Sequence, residues 1–118
     1  MTTLLLLPPQ TEATRQWAAR VAATLPDLSV VVAEDEAHAA REIGRAEAAF
    51  GTITPGLLAK AQQLRWLQAP QAAPPAGFYY ADLIAHPVVI TNFREIYNDH
   101  IGAHIMAFVL APARRLDY

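Results

Sequence analysis

The stretch Leu4–Ala33, LLLLPPQTEATRQWAARVAATLPDLSVVVA, decides the fold class of this chain. The apolar run Leu4–Leu7 ends at two prolines, as a short buried strand does. Thr11 is placed to cap the helix that follows, and Leu28–Ala33 is a β-branched run typical of a second buried strand. A strand, a helix and another strand in this short a stretch indicate two parallel strands joined by a right-handed crossover.

The rest of the chain repeats the alternation. Asp35 is placed to cap a helix to about Arg45, and Thr54 with Pro55 marks the start of another. Further strands are predicted at residues 46–51, 64–69 and 87–91, with a short helix at 79–85. This pattern predicts an α/β, flavodoxin-like, doubly wound sheet of five parallel strands in the order 2-1-3-4-5, flanked by helices.

Such a sheet binds ligands beyond the carboxyl ends of its strands, where the strand order reverses. The strand ends nominated by this rule are Leu7–Pro9, Gly51-Thr52, Ala69–Ala73 and Asn92-Phe93. They carry no acidic cluster, which argues against a phosphoacceptor receiver domain. No two of the glycines have the spacing of a dinucleotide-binding or phosphate-binding loop, so we expect no nucleotide-binding turn.

Composition narrows the class of protein further. The length of 118 residues predicts a single domain, and the absence of cysteine excludes disulfides and thiol-based sites. The formal net charge is −2 and the basic residues are scattered, so the sequence predicts no basic patch that would bind nucleic acid or an anionic membrane. We find no signal peptide and no membrane-spanning stretch, and we expect a soluble cytoplasmic protein.

Two histidines and the two tryptophans stand out, and neither pair predicts a functional site. His100 and His104 are spaced like a metal-binding pair, but no catalytic Glu lies between them and no third ligand is evident. We therefore expect no metal site. Trp17 and Trp66 are expected to lie in the core.

The last helix, predicted from about Asn98 to Ala111, is the unusual element. Between Asp99 and Arg114 it carries no formal charge apart from a possible one on His104. A helix that is apolar all round must be buried on all sides. We expect this domain to cover one side and a second subunit or a further domain to cover the other. Pro112 is expected to kink or end the helix near Ala111.

The segment from Thr91 to Leu116 also carries a family pattern. It reads TNFREIY at residues 91–97 and IGAHIMAFVLA at 101–111, followed by Arg114-Arg115. Upstream, ITPGLL at 53–58 and LRWLQ at 64–68 precede it in matching order. Together these segments resemble the D-isomer-specific 2-hydroxyacid dehydrogenases over most of residues 46–116.

The resemblance implies that residues 1–97 form a flavodoxin-like substrate domain and residues 98–118 a hinge helix leading into a Rossmann NAD(P)-binding domain. The family reduces 2-keto acids or oxidises D-2-hydroxy acids with NAD(P)H, and its hinge helix builds a dimer interface. Its glycine-rich turn and its catalytic Arg, Glu and His lie beyond the hinge. We therefore expect a truncated N-terminal domain, inactive alone, that binds no cofactor by itself and forms a homodimer through helix 98–111.

The resemblance also assigns substrate contacts, and no catalytic, cofactor or metal ligand. The implied substrate-binding residues are Gly51, Thr52, Gln71, Ala72, Ala73 and Tyr97. The loop that begins at Gln71 matches the family segment whose backbone N–H groups hold the substrate carboxylate. In this loop Ala73 stands where the family usually has glycine, and Pro74 has no N–H. In the hinge motif Ala103 replaces a glutamate.

A second hypothesis stays open beside the first. The chain would then be a non-catalytic, flavodoxin-like binding or dimerisation module derived from the same family, as its apolar last helix suggests. The sequence leaves open whether the chain is an enzyme, which 2-hydroxy acid the family relative would use, and whether NAD or NADP would serve it.

Overall fold

The computed structural model describes residues 1–116, and in them strands and helices alternate as the sequence predicted. The elements are β1 Thr2–Leu6, α1 Glu12–Thr24, β2 Leu28–Val32, α2 Glu36–Glu42 with a 3₁₀ turn at Ile43–Arg45, β3 Ala48–Phe50, α3 Pro55–Leu58, β4 Trp66–Gln68, α4 Ala81–Ala85, β5 Val89–Thr91 and α5 Asn98–Ala113.

The strands form one parallel sheet of five in the order β2-β1-β3-β4-β5, which confirms the predicted topology. One in-register row crosses the whole sheet: Val31, Leu5, Ala49, Leu67 and Ile90. The three central members of this row are fully buried. Burying a leucine side chain contributes about 2 kcal/mol, so this row is a main source of the stability of the sheet.

Helices α2, α3 and α4 and the 3₁₀ turn cover the face of the sheet on which this row lies. Their buried side chains, which join Leu5 and Leu67 in one core cluster, are Ala39, Ile43, Leu57, Leu58 and Leu83. Three of the predicted N-caps are observed, because Thr11, Asp35 and Thr54 each accept a hydrogen bond from a first-turn N–H.

The opposite face of the sheet is covered unevenly. Helix α1 lies over β1 and β2, whereas Trp66 on β4 and Val89 on β5 are 46% and 62% exposed. The Trp66 indole N–H donates to Thr91 Oγ1 at 2.7 Å, so its polar atom is satisfied at the surface. The prediction of a core position for Trp66 is therefore wrong. Its strand has helices on one face only, and a strand sequence does not specify how many faces its neighbours cover.

Helix α5 stands away from the rest of the described chain. Every residue from Asn98 to Leu110 is exposed, including Ile105 at 55% and Phe108 at 69%. The radius of gyration is 18.3 Å, against about 13 Å for a compact chain of this length. The expectation that the domain would cover one side of this helix is therefore wrong. The loop after β5 directs the helix outward, away from the sheet.

Pro112 lies inside α5, which runs on to Ala113. The predicted end near Ala111 is therefore slightly early. A proline in the last turn removes one hydrogen bond, and only a short stretch of helix follows it, so the helix persists locally. Within residues 1–116, no helix is both long enough and apolar enough to cross a lipid bilayer.

The ends of β1 and β3 approach each other closely at Gly51. This glycine has a φ of +129°, and a Cβ built on it would lie 2.9 Å from Leu7 Cβ. Its N–H donates to the Gln68 carbonyl at 3.0 Å, while the Leu7 N–H donates to the Phe50 carbonyl at 2.9 Å. Only glycine combines this backbone conformation with this contact.

Tyr80 ties the start of α4 to the loop after β3, because its hydroxyl donates to the Ile53 carbonyl at 3.0 Å. Burial raises the pKa of the Tyr80 phenol above its ordinary value, and the negative charge of Asp82 raises it further. The neutral phenol is the form that this hydrogen bond requires.

We predict that Gly51→Ala lowers the free energy of unfolding by about 2 kcal/mol, because the new methyl group adds backbone strain and collides with Leu7. Urea denaturation measures the change. Gly56→Ala is the matched control, since nothing lies within 4 Å of the added carbon. The control should be neutral or slightly stabilising in helix α3. Equal effects of the two substitutions would contradict the close approach of β1 and β3.

We predict that Tyr80 makes the fold sensitive to alkaline pH. Because its folded pKa is raised, its contribution to stability is fully present below its unfolded pKa of about 10 and is lost as the pH rises through the folded pKa. The free energy of unfolding should therefore fall more steeply above about pH 10 in the unmodified chain than in Tyr80→Phe. Tyr79→Phe, at the adjacent half-exposed position, should keep the steep fall. A slope unchanged by Tyr80→Phe would refute the assignment.

Candidate ligand-binding cleft

A cleft of about 660 Å³ opens at the carboxyl edge of the sheet, between the ends of β1, β3 and β4 and the loop after β5. It lies where the strand order reverses, because β2 pairs with one side of β1, and β3, β4 and β5 follow on the other side. All four strand ends nominated from the sequence contribute to its lining.

One wall of the cleft is aromatic. The Trp17 and Phe50 rings meet edge to face at 6.0 Å between centroids, and Phe50 lies 6.4 Å from Phe93 in a tilted arrangement. Leu7 and the prolines that follow β1 extend this apolar wall. Edge-to-face pairs add to the stabilisation that aromatic burial provides, so the wall has a defined shape.

Trp17 is 49% exposed, so its predicted core position is wrong. The apolar stripe of α1 runs from Ala18, which is buried, to the carboxyl edge of the sheet, where Trp17 reaches past Phe50 into the cleft. A helical period places this side chain on the sheet-facing side, but it does not show where the sheet ends.

Gln10, which the sequence analysis did not single out, joins the ends of β1 and β2 beside the cleft. Its side-chain amide donates to the carbonyls of Leu6, Leu7 and Ala33 at 2.7–3.1 Å. Its Oε1 accepts from the Thr14 hydroxyl at 2.9 Å. Two successive prolines after a central strand remove two backbone donors. The polar side chain directly after them was the sequence signal that could have identified Gln10 as the replacement donor.

The structure brings Gly51, Thr52, Gln71 and Tyr97 together in the lining of this cleft. Ala72 and Ala73 follow Gln71 in the same loop but are not among the residues that line the cleft. Among residues 1–116, no group accepts a hydrogen bond from the backbone N–H of residues 71, 72 or 73. The loop therefore offers three consecutive free donors next to the cleft.

Within the described residues 1–116, the lining contains no Asp, Glu, Lys, Arg or His. A dinucleotide pyrophosphate does not fit it, because Pro8, Pro9 and Pro70 supply no N–H and Glu12 puts a negative charge in the first turn of α1. Nor does any group of three or more His, Asp or Glu come together within residues 1–116 to hold a metal ion. His100 and His104 lie one turn apart on α5.

Comparison with known proteins gives structural matches only. No protein-family model matches the sequence, and no curated protein matches it. Among solved structures, a D-isomer specific 2-hydroxyacid dehydrogenase family protein from Aeromonas salmonicida subsp. salmonicida A449 is similar at 26% identity with a TM-score of 0.66. The match covers 98% of this chain and 37% of that protein.

Two further solved structures show the same fold. A D-lactate dehydrogenase from Treponema pallidum matches at 18% identity and a TM-score of 0.68, over 99% of this chain and 38% of that protein. A phosphoglycerate dehydrogenase from Lactobacillus plantarum matches at 23% identity and a TM-score of 0.56, over 96% of this chain and 36% of that protein. The resemblance inferred from the sequence is therefore confirmed: over nearly its whole length, this chain is similar to part of a D-isomer-specific 2-hydroxyacid dehydrogenase.

Proposed function

We propose that this chain forms the substrate-binding part of an NAD(P)-dependent D-2-hydroxyacid dehydrogenase. The observation that carries the proposal is the convergence of Gly51, Thr52, Gln71 and Tyr97 on one cleft at the reversal of strand order. These are residues for which the family resemblance implies substrate contact. In this proposal residues 1–97 are the substrate domain, and α5 begins the connection to a coenzyme domain.

The free N–H groups of residues 71–73 supply the recognition element for the substrate. Consecutive backbone donors on one short loop are able to bind an anion, and hydrogen bonds to a carboxylate are stronger than those between neutral groups. A 2-oxo acid held there by its carboxylate directs its substituent toward the aromatic wall. Pro74 donates nothing, so binding depends on the residues that precede it.

The chain's part in this proposal is to bind and orient. A bound coenzyme would supply the hydride, and the residues lining the cleft do not fit a dinucleotide, so NAD or NADP would be held by another domain. The family's catalytic Arg, Glu and His likewise have no counterpart that the resemblance places in residues 1–118. We therefore propose that the 118-residue chain alone transfers no hydride. The structural relatives named for lactate and for phosphoglycerate show that the fold does not select the substrate.

We predict that pyruvate, titrated into the ¹⁵N-labelled chain, shifts the amide resonances of residues 71–73, whereas acetone, which lacks the carboxylate, does not. Ala73→Pro removes one donor and should weaken pyruvate binding about tenfold, the usual effect of losing a hydrogen bond to a charged group. Ala73→Gly keeps the N–H and is the matched control.

The same preparation, mixed with pyruvate and NADH, should leave the absorbance of the reduced nicotinamide unchanged. Turnover by this chain would contradict the proposal that the coenzyme and the catalytic residues belong to another domain. A pyruvate titration that leaves residues 71–73 unshifted would overturn the binding role itself.

A homodimer through α5 is the second part of the proposal, and it also serves the alternative of a non-catalytic dimerisation module. The supporting observation is the exposure of Ile101, Ile105, Met106, Phe108 and Val109 on a helix of 16 residues. An apolar surface of this kind is typical of an interface. Gly102 has open space around it, which permits the close approach of a second helix.

We predict that the chain elutes as a dimer at micromolar concentration and that Ile105→Lys shifts it to a monomer, because a buried lysine at the interface loses its hydration. Light scattering after gel filtration measures the mass. Ile84→Lys is the matched control, since Ile84 is 70% exposed on α4, and it should leave the mass unchanged. An unmodified chain that is monomeric would contradict dimerisation through α5.

A further inference from the structure

The cleft is much larger than the smallest 2-oxo acid requires. Its volume of about 660 Å³ is in the range of sites that enclose whole drug-sized ligands. A substrate bound through the loop at residues 71–73 with only a methyl substituent would leave the wall formed by Trp17, Phe50 and Phe93 in contact with water. In the proposed function a further domain would close part of this volume, so the apolar wall is the feature that points to a bulky substituent.

The chemistry of the lining that this chain supplies disfavours a charged substituent. In the part of the chain that the structure describes, no ionisable side chain other than Tyr97 lines the cleft, so these residues offer no partner to a second carboxylate or a phosphate. The nearest cation in sequence, Arg94, is 80% exposed and lies 3.6 Å from the Glu95 carboxylate. Arg15 on α1 is paired with Glu34.

The hydroxyl groups of Thr11 and Thr14, which lie at the start of α1 beside the wall, are already engaged. The Thr14 hydroxyl donates to Gln10, and the Thr11 hydroxyl accepts from the Thr14 N–H as the cap of α1. A hydroxylated substituent would compete with these bonds. An apolar substituent leaves all of them intact and removes its own surface from water.

We propose that the substrate of this cleft is a 2-oxo or D-2-hydroxy monocarboxylic acid with a large hydrocarbon substituent, and that Trp17 is a specificity-determining residue. This inference rests on the proposed function and narrows it to one substrate class. Trp17 contacts the substituent alone, because it lies on the wall formed by Phe50, whereas the carboxylate donors belong to the loop after β4.

The test compares four probes by NMR titration of the 118-residue chain: phenylpyruvate, pyruvate, 3-phosphohydroxypyruvate and 4-phenyl-2-butanone. Phenylpyruvate should bind at least about tenfold more tightly than pyruvate, since each added apolar group in a fitting pocket is worth that order of affinity. The phosphorylated acid should bind more weakly than phenylpyruvate, and the ketone without a carboxylate should leave residues 71–73 unshifted.

Trp17→Ala should weaken phenylpyruvate binding by about tenfold while changing pyruvate binding by less than about twofold. Trp66→Ala is the matched control, because Trp66 is similarly half-exposed but does not line the cleft. It should change neither affinity. In the unmodified chain, nuclear Overhauser contacts between the phenyl protons and the Trp17 indole give a second measurement that requires no variant.

The outcomes separate the two levels of the proposal. If pyruvate or the phosphorylated acid binds as tightly as phenylpyruvate and shifts residues 71–73, the substrate class is wrong and the proposed function stands. If no acid shifts those residues, or if the ketone binds as well as phenylpyruvate, the proposed function fails and the inference fails with it.

Discussion

The parallel pairing of β1 with both β2 and β3 is the constraint on which the rest of this structure depends. Leu5 sits between Val31 and Ala49 in register, so β1 is central although it comes first in the chain. Right-handed crossovers then send the chain to opposite faces on the two sides of β1. The connections diverge at the carboxyl end of this strand, and the divergence leaves the cleft.

Two residues adapt the backbone to that divergence. Gly51 lets the end of β3 approach Leu7 where a Cβ would collide, and Gln10 satisfies carbonyls at the ends of β1 and β2. Because prolines follow β1, the usual donors of a βα turn are missing there. The free donors lie instead on the loop after β4. In the proposed function this separation places the carboxylate donors and the apolar wall on different sides of the cleft.

The burial of the sheet is strongly asymmetric. One face has a closed core, while the other exposes Trp66 and Val89, and α5 exposes apolar side chains along its length. Parallel sheets are usually covered on both faces, so this surface has the composition of an interface. The chain spans 37% of the dehydrogenase family protein it resembles at 26% identity. In the proposed function α5 leads toward a coenzyme domain.

By itself the sequence determined the order and type of the elements, the helix caps, the strand order and the strand ends that meet at the cleft. These features follow from local periodicity, turn chemistry and the handedness of crossovers, which are encoded within short stretches. The family motifs also pointed to Gly51, Thr52, Gln71 and Tyr97. Only the tertiary structure decided that Trp17 and Trp66 lie half-exposed, that Gln10 braces the cleft and that α5 stands free. Those outcomes depend on which faces distant elements cover. The sequence does not distinguish an apolar side chain in a core from one in a cleft wall or on an open surface.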